Sequence, residues 1–333
     1  MNTLTVFTPT YNRKHTIKRT YDSLCRQTSS DFDWLIIDDG SSDGTREWVE
    51  SLGDKISFEG ESFDWMGRSL SKNDDNHFVV LSSYAYSRMP LKIEYIYKPN
   101  GGLYTGYNTA YATIQTELCI CIDSDDFLPD NAVERIVNTW RERGSENYCG
   151  IEGLDFDYHT NKPIGGYFPK DLETVFLHEL HLKKIHIGDT KQVMRTQLMK
   201  AIAPMEGFRG EKNFNPIYLL IQVCDKFPLL VLNENLCIVE YQYGNDSMSQ
   251  GIFIQYMNSP KSFAKMRLME MSLQHNTRKD KFRSAIHYIS SCIISHDGNW
   301  LKNSPYKILT ILACPFGFLL SLYIVLRAKS IKL

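Results

Sequence analysis

The chain of 333 residues lacks an excess of either charge: 37 basic side chains stand against 39 acidic ones, a net of -2. A field that weak gives no basis for a nucleic-acid partner, and any anionic ligand must be held by local groups. Its eight cysteines show no paired short spacing of the kind that marks zinc, and they fall mostly inside apolar runs, so they read as reduced core residues. There is no internal repeat and no low-complexity stretch. No nucleophile elbow occurs, and "GGLYTG" (101–106) does not fit the dinucleotide fingerprint. The first residues, "MNTLTVFTPTYNRK", carry no basic leader before an apolar region, and no signal peptide is expected there.

What is present is a strong alternation of two periodicities. With 43% apolar residues the chain can bury a sizeable core. "LTVFT" (4–8), "WLIID" (34–38), "IEYIY" (93–97) and "LCICI" (118–122) read as short strands rich in branched and aromatic residues. Between them Ile17, Tyr21, Leu24 and Cys25 share one helical face, as do Thr45, Trp48, Val49 and Leu52. Leu103, Tyr107, Ala110, Tyr111 and Ile114 form another, and Val133, Ile136, Val137 and Trp140 a fourth after Pro129 at a first helical turn. This predicts an α/β fold, a Rossmann-like mainly parallel sheet flanked by helices, with ligands gathering at the carboxyl ends of the strands. Residues from about 53 to 90, polar and glycine-bearing, read as a surface insertion. Segments around 190–202, 214–224 and 259–273 read as helical.

The far end has a different character. Residues 308–326, "ILTILACPFGFLLSLYIVL", run without a charge and are bounded by Lys307 and Arg327. That approaches the roughly 20 apolar residues of a bilayer crossing. With Pro315 and Gly317 near its middle, the run suits a kinked span or a shallow hairpin at a membrane surface, with a buried helix capping the core as the alternative.

Polar clusters close each of the first four predicted strands: "TPTYN" (8–12), "DDGSSDGT" (38–45), "KPNGG" (98–102) and "DSDD" (123–126). In a parallel sheet they converge on one edge. Three carboxylates within four positions, Asp123, Asp125 and Asp126, repel one another unless a cation compensates them. A hard divalent ion, Mg²⁺ or Mn²⁺, does so while leaving coordination positions for substrate phosphates, so Asp123 and Asp125 are candidate ligands of a metal-bound diphosphate. Each cluster alone has a plainer reading: a strand-to-helix turn capped by Ser42 or Asp43, a glycine turn, or an acid favoured at a helix start. The coincidence of all four favours a site.

In order, "TPTYNR", "LIIDDGSSDGT", "NGG" followed by "YNTAY", and "CIDSDDFLPDNAVERI" resemble the donor-site motifs of family 2 glycosyltransferases, which adopt the A-type nucleotide-diphospho-sugar transferase fold. The resemblance continues through "GDTKQVMRTQLMKAIAPMEGFRGEK" and covers roughly 3–250. It implies a donor pocket formed by Pro9, Tyr11, Asp39, Lys98, Asn100, Gly101, Asp123, Ser124 and Asp125. Asp39 would accept the uracil imide proton, Tyr11 line the base, Lys98 and Asn100 lie near base and ribose, Asp123 approach the ribose and Asp125 the metal. It further implies inverting transfer from a UDP-sugar to a glycan or lipid-linked acceptor at the cytoplasmic membrane face, with Glu211 of "GEK" as general base. Three positions depart from the family pattern: Tyr107 where many relatives carry arginine, Lys212 in place of a second acid, and Ile217 after Pro216.

On this reading residues 1–145 form the donor half, 146–258 the acceptor half and 259–333 a helical tail. His178, His181 and His186 lie between apolar residues and read as core or surface residues rather than ligands. Two other classes compete: a phosphohydrolase with Asp123 as nucleophile, which leaves "DDGS" unexplained and finds Phe127 where a hydroxyl is expected, and a silent scaffold of the same fold.

Overall fold

The computed structural model describes residues 2–56, 62–65, 68–71, 76–82, 90–241 and 251–331. Its strands are β1 (Leu4–Thr10), β2 (Phe32–Asp38), β3 (Gly53–Ile56), β4 (Ser62–Trp65), β5 (Arg68–Ser71), β6 (His77–Ser82), β7 (Leu91–Tyr97), β8 (Leu118–Cys121), β9 (Gly150–Asp157), β10 (Lys162–Pro163), β11 (Thr174–Val175), β12 (Thr190–Arg195) and β13 (Leu229–Val239). The helices are α1 (Lys14–Cys25), α2 (Thr45–Glu50), α3 (Leu103–Thr113), α4 (Ala132–Arg143), α5 (Leu177–Leu182), α6 (Thr196–Lys200), α7 (Ile217–Cys224), α8 (Ile252–Asn258), α9 (Pro260–Ser272), α10 (Arg278–Ser295), α11 (Trp300–Asn303) and α12 (Lys307–Ile331).

The chain divides into two compact units. One comprises 1–101, 105–204 and 226–241, the other 102–104, 205–225 and 242–333. In the first, eleven strands among the described residues form one sheet in the order β11-β13-β9-β12-β8-β1-β2-β7-β6-β3, with β10 beside β9. Its centre, β8-β1-β2-β7, is parallel. Both flanks are extended by antiparallel strands, so the sheet is mixed around a parallel heart.

The central strands are apolar on both faces because helices cover both. Every residue of β1 is buried. Leu4, Val6, Trp34, Ile36, Ile93, Leu118 and Ile120 pack with Ile17, Tyr21 and Leu24 of α1 and with Val133, Ile136 and Val137 of α4 in one core. Each such aliphatic side chain contributes about 1.5–3 kcal/mol by leaving water. The polar tips in this layer are satisfied: the Trp34 indole donates to Thr8 Oγ1 at 3.0 Å, and the Tyr21 hydroxyl shares a hydrogen bond with Ser82 Oγ.

Several expectations need correction. The segment 53–90 is not simply an insertion: β6, "HFVVLS", is a mostly buried strand paired antiparallel with β7, and β3 pairs with β6. Four consecutive apolar residues, Phe78 to Leu81, were the signal for a strand inside a sheet. Residues 57–61, 66–67, 72–75 and 83–89 of that stretch lie outside the described residues. Residues 190–195 are a strand, wedged between β8 and β9, and only 196–200 are helical. Pro129 precedes α4 rather than opening it, and Gly44, at φ +86°, stands at the start of α2 in place of Ser42 or Asp43.

In the second unit α10 begins with a reciprocal cap: Asp280 N donates to Thr277 Oγ1 and Thr277 N to Asp280 Oδ2. α12 is one uninterrupted helix through Pro315, which removes the hairpin reading. It packs on α10 and also meets α8, and its buried residues are mostly small: Thr310, Ala313, Gly317, Ser321, Ile324 and Ala328. A Cβ at Gly317 would lie 2.5 Å from Ile289 Cγ2, so glycine permits the close crossing. The capping-helix alternative fails on exposure, because Ile308, Leu312, Leu319 and Leu326 are all more than 60% exposed. Among the described residues α12 is the one helix long and apolar enough to cross a membrane.

Candidate functional site: a polar rim at the carboxyl edge of the parallel strands

The rim is built by register. β1 and β2 stay paired to Thr10 and Asp38, Asp39 N then donates to Thr10 O at 2.9 Å, and Lys98 N donates to Asp38 O at 2.9 Å. On the other side Ile122 N donates to Phe7 O at 3.0 Å. The chain therefore leaves four adjacent strands on one edge, at Tyr11, Asp39, Pro99 and Asp123.

Around Asp39 the polar groups are locked together. Lys98, 1% exposed, forms an ion pair with the Asp39 carboxylate and donates to Thr105 Oγ1 at 2.6 Å and Pro99 O at 2.9 Å. Gly101 N donates to Asp39 Oδ1 at 2.9 Å. A Cβ on Gly101 would meet Thr105 Oγ1 at 2.8 Å, and one on Gly40, at φ +90°, would meet Asn100 N at 2.9 Å. Both glycines thus let neighbouring loops close on the same carboxylate. Asp38 behind it is fully buried and accepts from Tyr95 Oη at 2.6 Å and Ser41 N at 2.7 Å. Burial pushes its carboxyl upward, against the downward pull of those two donors. Pro9 is buried beneath the rim, while Tyr11, 51% exposed, presents a ring to solvent beside it. The Asn12 side chain accepts from Ser42 N at 2.8 Å, and Asn12 N donates to Ser41 Oγ at 2.8 Å, tying the first loop to the second.

The acidic loop after β8 is held by its backbone. Asp126 N closes a turn onto Asp123 O at 3.0 Å, Arg19 donates to Asp125 O at 3.1 Å and Thr20 Oγ1 to Asp126 O at 2.7 Å. The carboxylates are treated differently. Asp126 is buried, and desolvation, reinforced by Asp123, Asp125 and Asp155 and opposed by Lys191, raises it to about 8. Asp123 is exposed. Desolvation and Asp125 push its carboxyl up while Lys191 opposes them. The Asp125 carboxylate has no hydrogen bond or ion pair among the described residues. Ser124 is buried between them.

Oxygen donors of this kind suit Mg²⁺ or Mn²⁺. Among the described residues no group of three or more His, Cys, Asp or Glu is placed to hold an ion. Asp123 and Asp125 are oxygen donors of the kind such an ion takes, and the two alone do not form a self-sufficient cage. Tyr107, one of the three departures from the family pattern, donates to Cys121 Sγ at 3.0 Å, and that thiol faces Asp123 Oδ1 at 3.9 Å.

Sequence reasoning missed four supporting residues: Tyr95, Thr105, Arg19 and Lys191. Lys191 on β12 places Nζ 3.7 Å from Asp126 Oδ2 and 3.9 Å from Asp155 Oδ1. No local pattern links positions this far apart; the periodicity of 190–195, read as a strand, was the available clue.

Glu211 belongs to the second compact unit. Its carboxylate accepts from Lys261 N at 3.0 Å, Ser262 N at 2.7 Å and Ser262 Oγ at 2.7 Å, which caps the first turn of α9. About four lone-pair sites serve a carboxylate, and three are engaged here.

The sequence model described as glycosyl transferase family 2 matches residues 5–61 and 74–199. The chain belongs to glycosyltransferase family 2. Among curated family relatives, the uncharacterized glycosyltransferase EpsJ of Bacillus subtilis is 24% identical over 170 residues, 51% of this chain and 38% of its own. Hyaluronan synthase of Pasteurella multocida is 27% identical over 131 residues, 39% of this chain and 10% of its own. The chain thus spans less than half the length of these relatives. Among solved structures, S. aureus TarS 1–349 superposes with a TM-score of 0.53 at 16% identity, covering 90% of this chain and 74% of that one. The same TarS segment in complex with UDP gives 0.54 at 13% identity, covering 100% and 91%. At such identity the likeness speaks for the fold, an α/β sheet with flanking helices like that of A-type glycosyltransferases.

Proposed function

We propose that the protein transfers a sugar, with inversion, from a UDP-sugar to a hydroxyl of a glycan or lipid-linked acceptor in cell-surface polysaccharide synthesis. The observation that carries this reading is the shared rim: a fixed carboxylate, Asp39, and an under-compensated acidic loop, Asp123 to Asp126, at the ends of adjacent parallel strands. Family membership and the TarS complexes with UDP and UDP-GlcNAc support it.

In this reading Asp39 accepts the uracil imide N–H, and Lys98 with Gly101 hold its carboxylate for that bond. Tyr11 supplies an aromatic face to the base, Pro9 shapes the floor, and Asn100 and Ser124 lie toward the ribose. Asp123 takes a ribose hydroxyl, and Asp125 with Asp123 holds the divalent cation. A bound Mg²⁺ or Mn²⁺ supplies charge neutralisation for the departing diphosphate. Glu211 is the proposed base: it takes the acceptor hydroxyl proton as that oxygen bonds to the anomeric carbon and the bond to the diphosphate oxygen breaks. The same carboxylate caps α9, so its substitution touches stability as well as chemistry. The exposed apolar face of α12, between Lys307 and Arg327, suits attachment to the cytoplasmic membrane face.

A thermal-shift screen of UDP-, GDP-, CDP- and dTDP-sugars with Mn²⁺ tests the reading, because a bound donor stabilises the native state by mass action. A UDP-sugar is expected to raise the melting temperature, and Glu211→Gln to keep that shift while suppressing turnover. A flat response to every nucleotide sugar would overturn it.

A further inference from the structure

The acidic loop brings its own counter-charge. Lys191, whose side chain is 14% exposed, is the one cation among the described residues that forms ion pairs with a carboxylate of this loop. Arg19 reaches only the carbonyl of Asp125 and pairs its charge with Glu240. Lys191 bridges Asp126 and the buried Asp155, and its charge is also felt at Asp123. At 3.7 and 3.9 Å these are Coulombic contacts rather than hydrogen bonds, so the ammonium acts through charge and not through a directed bond. Asp155 Oδ1 makes no hydrogen bond of its own, which leaves this cation as its compensation. Burial of such carboxylates without a cation is expensive.

We infer that Lys191 is a positioning residue, an internal counter-cation that lowers the negative potential of the Asp123–Asp125 pair and so makes divalent-metal binding depend on the nucleotide. The inference rests on the donor-site reading above. Without that ammonium the negative potential at Asp123 and Asp125 would draw a free divalent ion more strongly. With Lys191 in place the pair holds such an ion weakly until a diphosphate adds its negative charge and ligand oxygens.

The test is Mn²⁺ binding to the full chain without nucleotide, followed by electron paramagnetic resonance of the free ion. Lys191→Met should bind Mn²⁺ alone more tightly, by at least about fivefold from the loss of one nearby positive charge. Lys191→Arg, which keeps the charge, should stay at the wild-type value. A structural role would instead weaken or leave unchanged the affinity of the neutral variant. Lys191→Gln, with a polar head of similar reach, replaces the methionine variant if that one does not fold. Unchanged or weaker Mn²⁺ binding in a folded neutral variant overturns the inference and leaves the donor site standing, provided that wild type binds UDP with Mn²⁺. Failure of wild type to bind UDP under any metal condition overturns both.

Discussion

Two pairs of adjacent acids occupy the same rim and are handled in opposite ways. Asp38 and Asp39 are fully provided for: tyrosine and backbone donors serve the first, a buried lysine and a glycine amide the second. Asp123 and Asp125 are held by their carbonyls and by the turn, while their carboxylates keep few partners. The difference teaches what each motif is for. On the donor-site reading, an Asp39 carboxylate anchored through Oδ1 by a buried lysine and a glycine amide is a preorganised acceptor for one hydrogen bond, whereas a loop whose charge Lys191 only partly offsets is a place for a cation that arrives with its ligand.

The largest effect expected from breaking this contrast is at Lys98. Lys98→Met leaves Asp39 buried without its cation, and should cost about 3–5 kcal/mol of stability, read by urea denaturation. A loss under about 1 kcal/mol would mean that the first pair is not electrostatically locked. A smaller effect sharpens the contrast with a third carboxylate that has neither a cation nor open access. Glu152 on β9 is fully buried, accepts from Gln192 Nε2 at 2.9 Å, and burial raises it to about 8. The native state therefore binds a proton that the unfolded chain releases near pH 4.5, and stability should fall as pH rises from about 5 to 8. Glu152→Gln should flatten that fall. At pH 8 the variant should exceed wild type by on the order of 2 kcal/mol in parallel melts, and at pH 5 the two should coincide. Identical pH profiles would show that Glu152 ionises without penalty.

How legible this was follows from range. The four central strands were readable because each is a short apolar run ending in polar residues, and their parallel order follows from the helices between them. The four-strand rim with Tyr11, Asp39, Asn100 and Asp123 was legible for the same reason. β6 was hidden because polar, glycine-bearing sequence precedes it and coloured the whole stretch from 53 to 90. β12 was hidden because six residues of "TKQVMR" running into a helix fit either period. Lys191 and Tyr95 could not be found locally, since their partners lie 65 and 57 positions away. Tertiary electrostatics leaves no mark on a window of a dozen residues.

The central claim is that the acidic loop and a divalent ion together hold the nucleotide's diphosphate. Calorimetric titration of UDP into the wild-type chain and into Asp125→Ala, each with and without Mn²⁺, tests it most directly. Wild type should bind UDP far more tightly with Mn²⁺, and Asp125→Ala should lose that gain by on the order of 100-fold. Equal affinity with and without the ion in wild type, or an undiminished gain in the variant, would contradict the account.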